Sequence, residues 1–131
     1  IARADREFGR VDALGNAAAV TDRGTILDTS PDLFDRMFAT NVRAPFFMMQ
    51  EAIKVMRREG TEGTIVNIGS MSAMAGQPFI AAYCASKGAL ETLTKPTANS
   101  NNIVQQIKNS STTPWGTRFD VIMPALTTAS R

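Results

Sequence analysis

The chain of 131 residues is long enough for one small domain, and its 44% of hydrophobic residues is typical of a globular protein. Its net charge of +2 gives no case for nucleic acid as a partner, and no apolar run approaches the roughly 18 residues that indicate a membrane span. The chain has no histidine, which excludes a Ser-His-Asp triad, a Cys-His dyad and His-ligated zinc. Its one cysteine, Cys84, cannot form an intrachain disulfide, which favours a reducing compartment, so we expect a cytoplasmic protein.

The first part of the chain predicts a strand, a loop and a long helix. Val11–Leu14 is typical of a short buried strand, and Gly15–Ala18 follows as a loop whose small residues let a ligand approach the backbone; an ordinary strand-to-helix turn is the alternative. Ser30 is a good N-cap with Pro31 at the first helical position. Apolar residues then recur at spacings of three and four, which predicts one amphipathic helix ending near Gly60. The stripe comprises Phe34, Phe38, Val42, Phe46, Met49, Ile53 and Met56.

The middle of the chain predicts a second strand and a second helix. The β-branched run Gly63–Ile68 has the length of a strand, and Gly69–Pro78 reads as a loop. A helix begins near Ala81 and should end at Pro96, because proline lacks the N–H that continues a helix.

The last part of the chain is polar and then apolar. Residues 97–117 are rich in Asn, Ser and Thr, and Arg118–Met123 predicts a third strand that Pro124 ends. Alternating strands and helices predict an α/β fold with a parallel sheet, whose ligands bind at the carboxyl ends of the strands. The segments Gly15–Ala18, Gly69–Ser72 and Pro124–Thr128 should therefore meet at one edge of the sheet.

Tyr83 and Lys87 are four residues apart and share one face of their helix. A phenol is a poor acid or base near neutral pH, but a lysine cation one turn away favours its ionised form. Ser70, at the end of a predicted strand, can donate a hydrogen bond to a substrate oxygen. Tyr-x-x-x-Lys also occurs on ordinary helices, so the pair alone leaves a purely structural role open.

The longer sequence around this pair is more specific. The run I-V-N-I-G-S-M-S-A-M-A-G-Q-P-F-I-A-A-Y-C-A-S-K-G-A-L closely resembles the active-site stretch of the short-chain dehydrogenase/reductase family. The earlier run F-D-R-M-F-A-T-N-V-R-A-P-F-F resembles the central helix of that family. The resemblance extends from about Val11 to Lys95.

The resemblance implies a fold, an activity and a set of catalytic residues. The fold would be a partial Rossmann-like, doubly wound parallel sheet in three α/β/α layers with its first strands missing, a single partial domain over residues 1–131. The activity would be hydride transfer between a secondary alcohol or ketone and NAD or NADP. Tyr83 would act as general acid/base, Ser70 would polarise the substrate oxygen, Lys87 would assist the phenol and bind the nicotinamide ribose, and Asn41 would hold a water that links Lys87 to solvent.

The residues around Asn41 also offer a physical explanation for such a water site. Pro45 follows Asn41 by four residues and has no N–H, so the Asn41 carbonyl lacks its usual helical donor. That carbonyl can accept from a water, or the proline can simply kink a curved helix.

The resemblance also implies cofactor contacts. They are carried over onto Asn16, Ala17, Ala18, Tyr83, Lys87, Pro124, Ala125 and Thr127. The chain has Gly-Asn-Ala-Ala where the family has Asn-Asn-Ala-Gly, and Pro-Ala in place of Pro-Gly. The family's phosphate loop, T-G-x-x-x-G-x-G, does not occur in the chain, and Asn99–Thr113 looks foreign to the family's helix.

Members of the family form homodimers and homotetramers through the central helix and the active-site helix, so the resemblance implies a homo-oligomer. We also expect a small alcohol or ketone as substrate, and no metal, membrane or nucleic acid as a partner. Phe38, Phe46, Met49 and Leu93 are the candidates for that interface. The alternative function is a truncated, catalytically inactive remnant that acts only through this helix-mediated association.

Overall fold

Among the residues that the structure describes, four strands form one sheet and pair side by side in chain order. The computed structural model describes residues 1–21, 23–98, 104–113 and 116–122. The strands are β1 (Ala13–Asn16), β2 (Thr64–Ser70), β3 (Val104–Thr113) and β4 (Gly116–Ile122). The first three strands are parallel to one another, with Ala13 beside Thr64 and Thr64 beside Val104, which confirms the predicted α/β fold.

The final strand runs the other way. The third predicted strand, Arg118–Met123, was expected to be parallel to the rest, but β4 is antiparallel to β3, with Ile122 beside Ile107. Only two residues separate β3 from β4, and a connection this short returns the chain antiparallel, since a parallel crossover needs a dozen residues or more. The parallel prediction is therefore wrong for this strand.

In the described residues, one α-helix precedes the first strand, and the other four lie in the connections between the parallel strands. They are α1 (Ala2–Phe8), α2 (Pro31–Phe38), α3 (Ala44–Arg58), α4 (Ser72–Ala75) and α5 (Ala81–Ala98). The predicted cap of α2 is confirmed, since the Ser30 hydroxyl accepts from the Leu33 N–H at 3.3 Å. The predicted loop before α5 contains the short helix α4 and gives its first two residues to β2.

The long helix predicted up to Gly60 is not continuous, because a π turn over Ala39–Arg43 separates α2 from α3. Pro45 has no N–H for the ordinary helical bond, and the Ala44 N–H reaches five residues back to the Ala39 carbonyl. The π turn inserts one residue into the helix and leaves Asn41 only 1% exposed.

The core lies between the strands and helices α1, α3 and α5. Its buried members are Val11, Leu14, Met49, Ala52, Val55, Met56 and Ile65, with Ile1, Ala4, Ile53 and Leu93 packed against them. Burial alternates along β2, so that Ile65 and Asn67 face the helices while Val66 and Ile68 are half-buried. The predicted stripe is confirmed at Met49 and Met56.

Three element boundaries differ from the predictions. The strand predicted at Val11–Leu14 extends to Asn16, because the Asn16 side-chain amide donates to Asn67 at 2.8 Å and holds this end of β1 against β2. Helix α5 continues past Pro96 to Ala98, because a proline removes the one helical bond that its own N–H would donate and leaves the bonds of its neighbours possible; in this last turn the Thr97 hydroxyl also donates to the Leu93 carbonyl at 2.9 Å. The polar Asn99–Thr113 segment supplies β3 from Val104 onward, because strand pairing uses backbone groups and does not require apolar side chains.

Candidate active site

Tyr83 and Lys87 lie on the same side of α5. The Lys87 Nζ is 5.8 Å from the centre of the Tyr83 ring, and the tyrosine is half-buried. The spacing of one helical turn therefore brings the phenol and the ammonium together, as predicted. A cation within about 6 Å of an aromatic ring centre is attracted electrostatically by the face of the ring.

Lys87 is anchored to the end of β2. Its Nζ donates to the Ile68 carbonyl at 2.8 Å, and the residue is only 3% exposed. This burial lowers the pKa of the Lys87 ammonium, because the surroundings disfavour the charged form. One of its three N–H donors is used by Ile68, so the others are available to a ligand.

Ser70 is the last residue of β2 and is 9% exposed. It lies two residues after Ile68, the residue to which Lys87 is bonded, so strand β2 carries both contacts at its carboxyl end. The Ser70 Oγ is 2.7 Å from the Ser72 Oγ. The sequence predicted Ser70 but not Ser72, for which the Ser-x-Ser spacing at a strand end was the available signal.

Asn41 ties three parts of the chain together. Its Oδ1 accepts from the Val20 N–H at 2.8 Å, and its Nδ2 donates to the Val20 carbonyl at 2.8 Å and to the Ser86 Oγ at 3.0 Å. The Ser86 hydroxyl in turn donates to the Tyr83 carbonyl at 2.8 Å. The side chain thus connects the segment after β1 to helix α5, and Ser86 is a supporting residue that sequence reasoning missed.

A second polar link joins β1 to α5 through the core. The Asn67 Oδ1 accepts from Asn16, and its Nδ2 donates to the Thr94 Oγ1 at 3.0 Å and to the Met49 sulfur at 3.2 Å. Thr94 donates to the Leu90 carbonyl at 2.6 Å. These buried amide and hydroxyl groups are paired, so they fix Asn16 relative to α5 without leaving an unsatisfied polar atom in the contacts described.

The predicted cofactor loop borders a small cleft. The cleft has a volume of about 180 Å³ and lies between the carboxyl end of β1 and the turn that leads into α3. Its lining residues are Gly15, Asn16, Ala17, Ala18, Thr40, Ala44, Pro45 and Met48. The structure therefore places Asn16, Ala17 and Ala18 together on an open, mostly small-residue surface beside the π turn.

The remaining predicted cofactor residues, Pro124, Ala125 and Thr127, lie outside the described residues. The Gly15–Ala18 and Gly69–Ser72 segments each begin in the last residues of β1 and β2, which are parallel, so both lie at the same edge of the sheet. Strand β4 runs toward the opposite edge, with its last residue, Ile122, beside Ile107 of β3.

Two kinds of feature are absent from the part of the chain that the structure describes. No helix there is long and apolar enough to cross a membrane. No group of three or more acidic, cysteine or histidine side chains there is arranged to hold a metal ion. Cys84 is half-buried and has no disulfide partner.

Comparisons with known proteins identify what this arrangement is similar to. Carbonyl reductase (NADPH) 2 of Sus scrofa is 42% identical over 90 residues, which cover 69% of this chain and 37% of that protein. Galactitol 2-dehydrogenase of Agrobacterium fabrum is 35% identical over 94 residues, which cover 72% of this chain and 37% of that protein. The solved structure of 4-hydroxyisoleucine dehydrogenase complexed with NADH matches with a TM-score of 0.73 and 37% identity, over 78% of this chain and 46% of that one.

The chain therefore spans little more than a third of the length of these curated relatives. The match to a family model is more extensive, because the model described as short chain dehydrogenase aligns with residues 1–127. This match covers nearly the whole sequence, and the chain belongs to the short-chain dehydrogenase family.

Proposed function

We propose that the protein interconverts a secondary alcohol and a ketone with NAD or NADP, and that Tyr83 is its general acid/base. The observation that carries the proposal is the position of the Lys87 ammonium, 5.8 Å from the Tyr83 ring and bonded to the end of β2 beside Ser70. Relatives named as carbonyl reductase and galactitol dehydrogenase support the reaction class.

Each residue has a separate role in the proposed reaction. During alcohol oxidation the ionised Tyr83 oxygen removes the hydroxyl proton, and during ketone reduction the phenol returns it. Ser70 donates a hydrogen bond to the substrate oxygen and thereby stabilises the charge that develops on it. Lys87 holds a positive charge 5.8 Å from the centre of the Tyr83 ring and can donate to the nicotinamide ribose. When bound, the nicotinamide supplies the hydride acceptor or donor.

The residues around the cleft fit the nicotinamide end of a dinucleotide. Ala17 and Ala18 are exposed and small, so a ligand can approach the backbone there, and Lys87 retains donors for a ribose hydroxyl. The cleft of about 180 Å³ is smaller than the roughly 300 Å³ at which ligand sites begin, so it would hold part of the cofactor. A neighbour solved with NADH supports this assignment. We assign no residue of this chain to the pyrophosphate.

Asn41 is proposed to serve proton transfer through its backbone. Its side chain is committed to Val20 and Ser86, while Pro45 cannot donate to its carbonyl. A water held by that carbonyl would connect Lys87 to solvent, as the family resemblance implies.

The substrate is proposed to be a small, largely apolar alcohol or ketone. The segment between Ser70 and Tyr83 carries no charged side chain, and its large residues Met71, Met74 and Phe79 are 40%, 68% and 62% exposed. Apart from the exposed amide of Gln77, such a surface offers few polar groups to hydrogen-bond the hydroxyls of a polyol. The lone Cys84 continues to favour a cytoplasmic location.

The proposal is tested by assaying the protein with NAD and NADP against cyclopentanol and galactitol, alongside NADH and NADPH binding measured by fluorescence. We expect cofactor binding and turnover, with a higher kcat/KM for cyclopentanol. Turnover that favours galactitol would contradict the substrate class alone. Absence of cofactor binding, if a longer form of the same protein binds NADH, would favour the alternative of an inactive remnant that acts only through association.

A further inference from the structure

We propose that Ser72 is a positioning residue that turns the Ser70 hydroxyl into a dedicated hydrogen-bond donor for the substrate oxygen. The inference rests on the proposed function and adds a residue to it. Ser72 would act through Ser70 and would not itself touch the substrate.

The two serines are directly bonded at the junction of β2 and α4. Their Oγ atoms are 2.7 Å apart, and the Ser72 backbone N–H also donates to the Ser70 Oγ at 3.3 Å. Ser70 is 9% exposed and Ser72 is 4% exposed, so water competes little for either hydroxyl. Low exposure strengthens the bond and makes an unpaired hydroxyl costly.

The number of donors and acceptors fixes the direction of this bond when substrate binds. A serine hydroxyl has one proton and two lone pairs, whereas a ketone oxygen can only accept. Ser70 must therefore use its one O–H group to donate a hydrogen bond to the substrate oxygen. The Ser72 hydroxyl is then obliged to donate to the Ser70 Oγ, and together with the Ser72 N–H it fills both Ser70 lone pairs. Ser70 is left with no alternative arrangement of its proton.

The local backbone alone does not explain the hydroxyl. The bond from the Ser72 N–H to the Ser70 Oγ is a local turn between side chain and backbone, which would form whatever side chain residue 72 carried. The Oγ-to-Oγ contact exists only because residue 72 has a hydroxyl. Removing that hydroxyl therefore separates a positioning role from a role in the turn.

The test compares the wild-type protein with Ser72→Ala, Ser70→Ala, the double variant and Ser72→Thr in ketone reduction. Loss of one neutral hydrogen bond, on the order of 1 kcal/mol, corresponds to roughly a fivefold fall in kcat for Ser72→Ala. The KM should change by less than about twofold, since Ser70 acts mainly on the transition state. Ser72→Thr, which keeps the hydroxyl, should recover most of the rate.

The double variant decides whether Ser72 acts through Ser70. We expect it to be as slow as Ser70→Ala alone, because a residue that only orients Ser70 has no effect once that hydroxyl is gone. Thr97→Ala, which removes a hydroxyl bonded to a helix carbonyl at 2.9 Å, is the matched control and should keep the wild-type rate. Circular dichroism confirms that each variant is folded.

Two results would overturn the inference alone: a Ser72→Ala rate within twofold of wild type, or rate losses from Ser70→Ala and Ser72→Ala that multiply in the double variant. Absence of turnover by the wild-type protein would instead overturn the proposed function, and this inference with it.

Discussion

Lys87 is held at the carboxyl end of β2 by one hydrogen bond and is otherwise shielded from solvent. A lysine that served only to cover the surface would keep its ammonium in water. Here the aliphatic stem and the charge are both enclosed beside Tyr83, which costs solvation free energy. A lysine on α5 whose ammonium stayed in water would avoid this cost. The enclosed charge is therefore consistent with a role in proton chemistry.

This burial makes a prediction about the pH dependence of stability. Because burial lowers the pKa of folded Lys87, the unfolded chain binds this proton more tightly than the folded chain does. The free energy of unfolding of the wild type, relative to Lys87→Met, should therefore rise with pH across the window between the lowered pKa and the ordinary value of 10.5. Below that window the difference should be constant.

Urea unfolding at a series of pH values measures this difference. Lys54→Met removes an exposed lysine of α3 and controls for the loss of one positive charge. A difference between wild type and Lys87→Met that stays flat, or that falls as the pH rises toward 10.5, would show that the Lys87 ammonium is not penalised by burial.

At the scale of elements, the contact between the end of α3 and the start of β2 leaves no room at Gly63. A Cβ placed on Gly63 would lie 2.5 Å from the Met56 Cε and nearer still to its sulfur, and Met56 is only 1% exposed. The Gly63→Ala variant should therefore lose about 1–3 kcal/mol of unfolding free energy by overpacking.

Gly15→Ala is the matched control, because a Cβ on Gly15 would meet no atom within 4 Å. Its stability in urea unfolding should stay within about 0.5 kcal/mol of wild type. Equal losses for the two variants would mean that the close packing of Met56 on Gly63 does not limit the size of residue 63.

The elements also show how far sequence reasoning reaches. Periodicity predicted both long helices and the core residues Met49 and Met56, because a buried face needs apolar residues at helical spacing. It did not predict the π turn at Ala39–Arg43, since Pro45 signals a missing donor and not the way in which the backbone accommodates it. Nor did it predict β3, whose pairing with β2 depends on backbone groups of a polar segment.

The same limit applies to the site. Tyr83 and Lys87 were predictable because their spacing on one helix decides their contact. The contacts of Asn41 with Val20 and Ser86 depend on how segments far apart in the sequence fold together. No local pattern in the sequence contains that information.

At the scale of the whole molecule, the proposed homo-oligomer rests on the exposed aromatic residues of α3. Of the predicted interface residues, Met49 is 2% exposed and belongs to the core, so its assignment to an interface is wrong; Leu93 packs partly against the same core. Phe46, 42% exposed, and its neighbour Phe47, 46% exposed, are still accessible to a partner.

We expect Phe46→Glu to dissociate the oligomer, because the introduced carboxylate would have to be desolvated in an apolar interface. Sedimentation equilibrium measures the mass. Phe8→Glu, at a residue of α1 that is 73% exposed, is the control and should leave the mass unchanged. Association through α3 would be contradicted if the wild type sedimented as a monomer, or if the Phe46→Glu variant had the same mass as the wild type.

The central claim is that one phenol beside a buried ammonium moves the substrate proton. The most direct test is Tyr83→Phe, with kcat for alcohol oxidation and NADH affinity measured on the same protein. Because the variant loses only the phenolic oxygen, and with it at most one hydrogen bond to the cofactor, NADH affinity should stay within about tenfold of wild type while kcat falls by roughly 10²–10⁴. A Tyr83→Phe variant that keeps a kcat within about threefold of wild type would contradict the account.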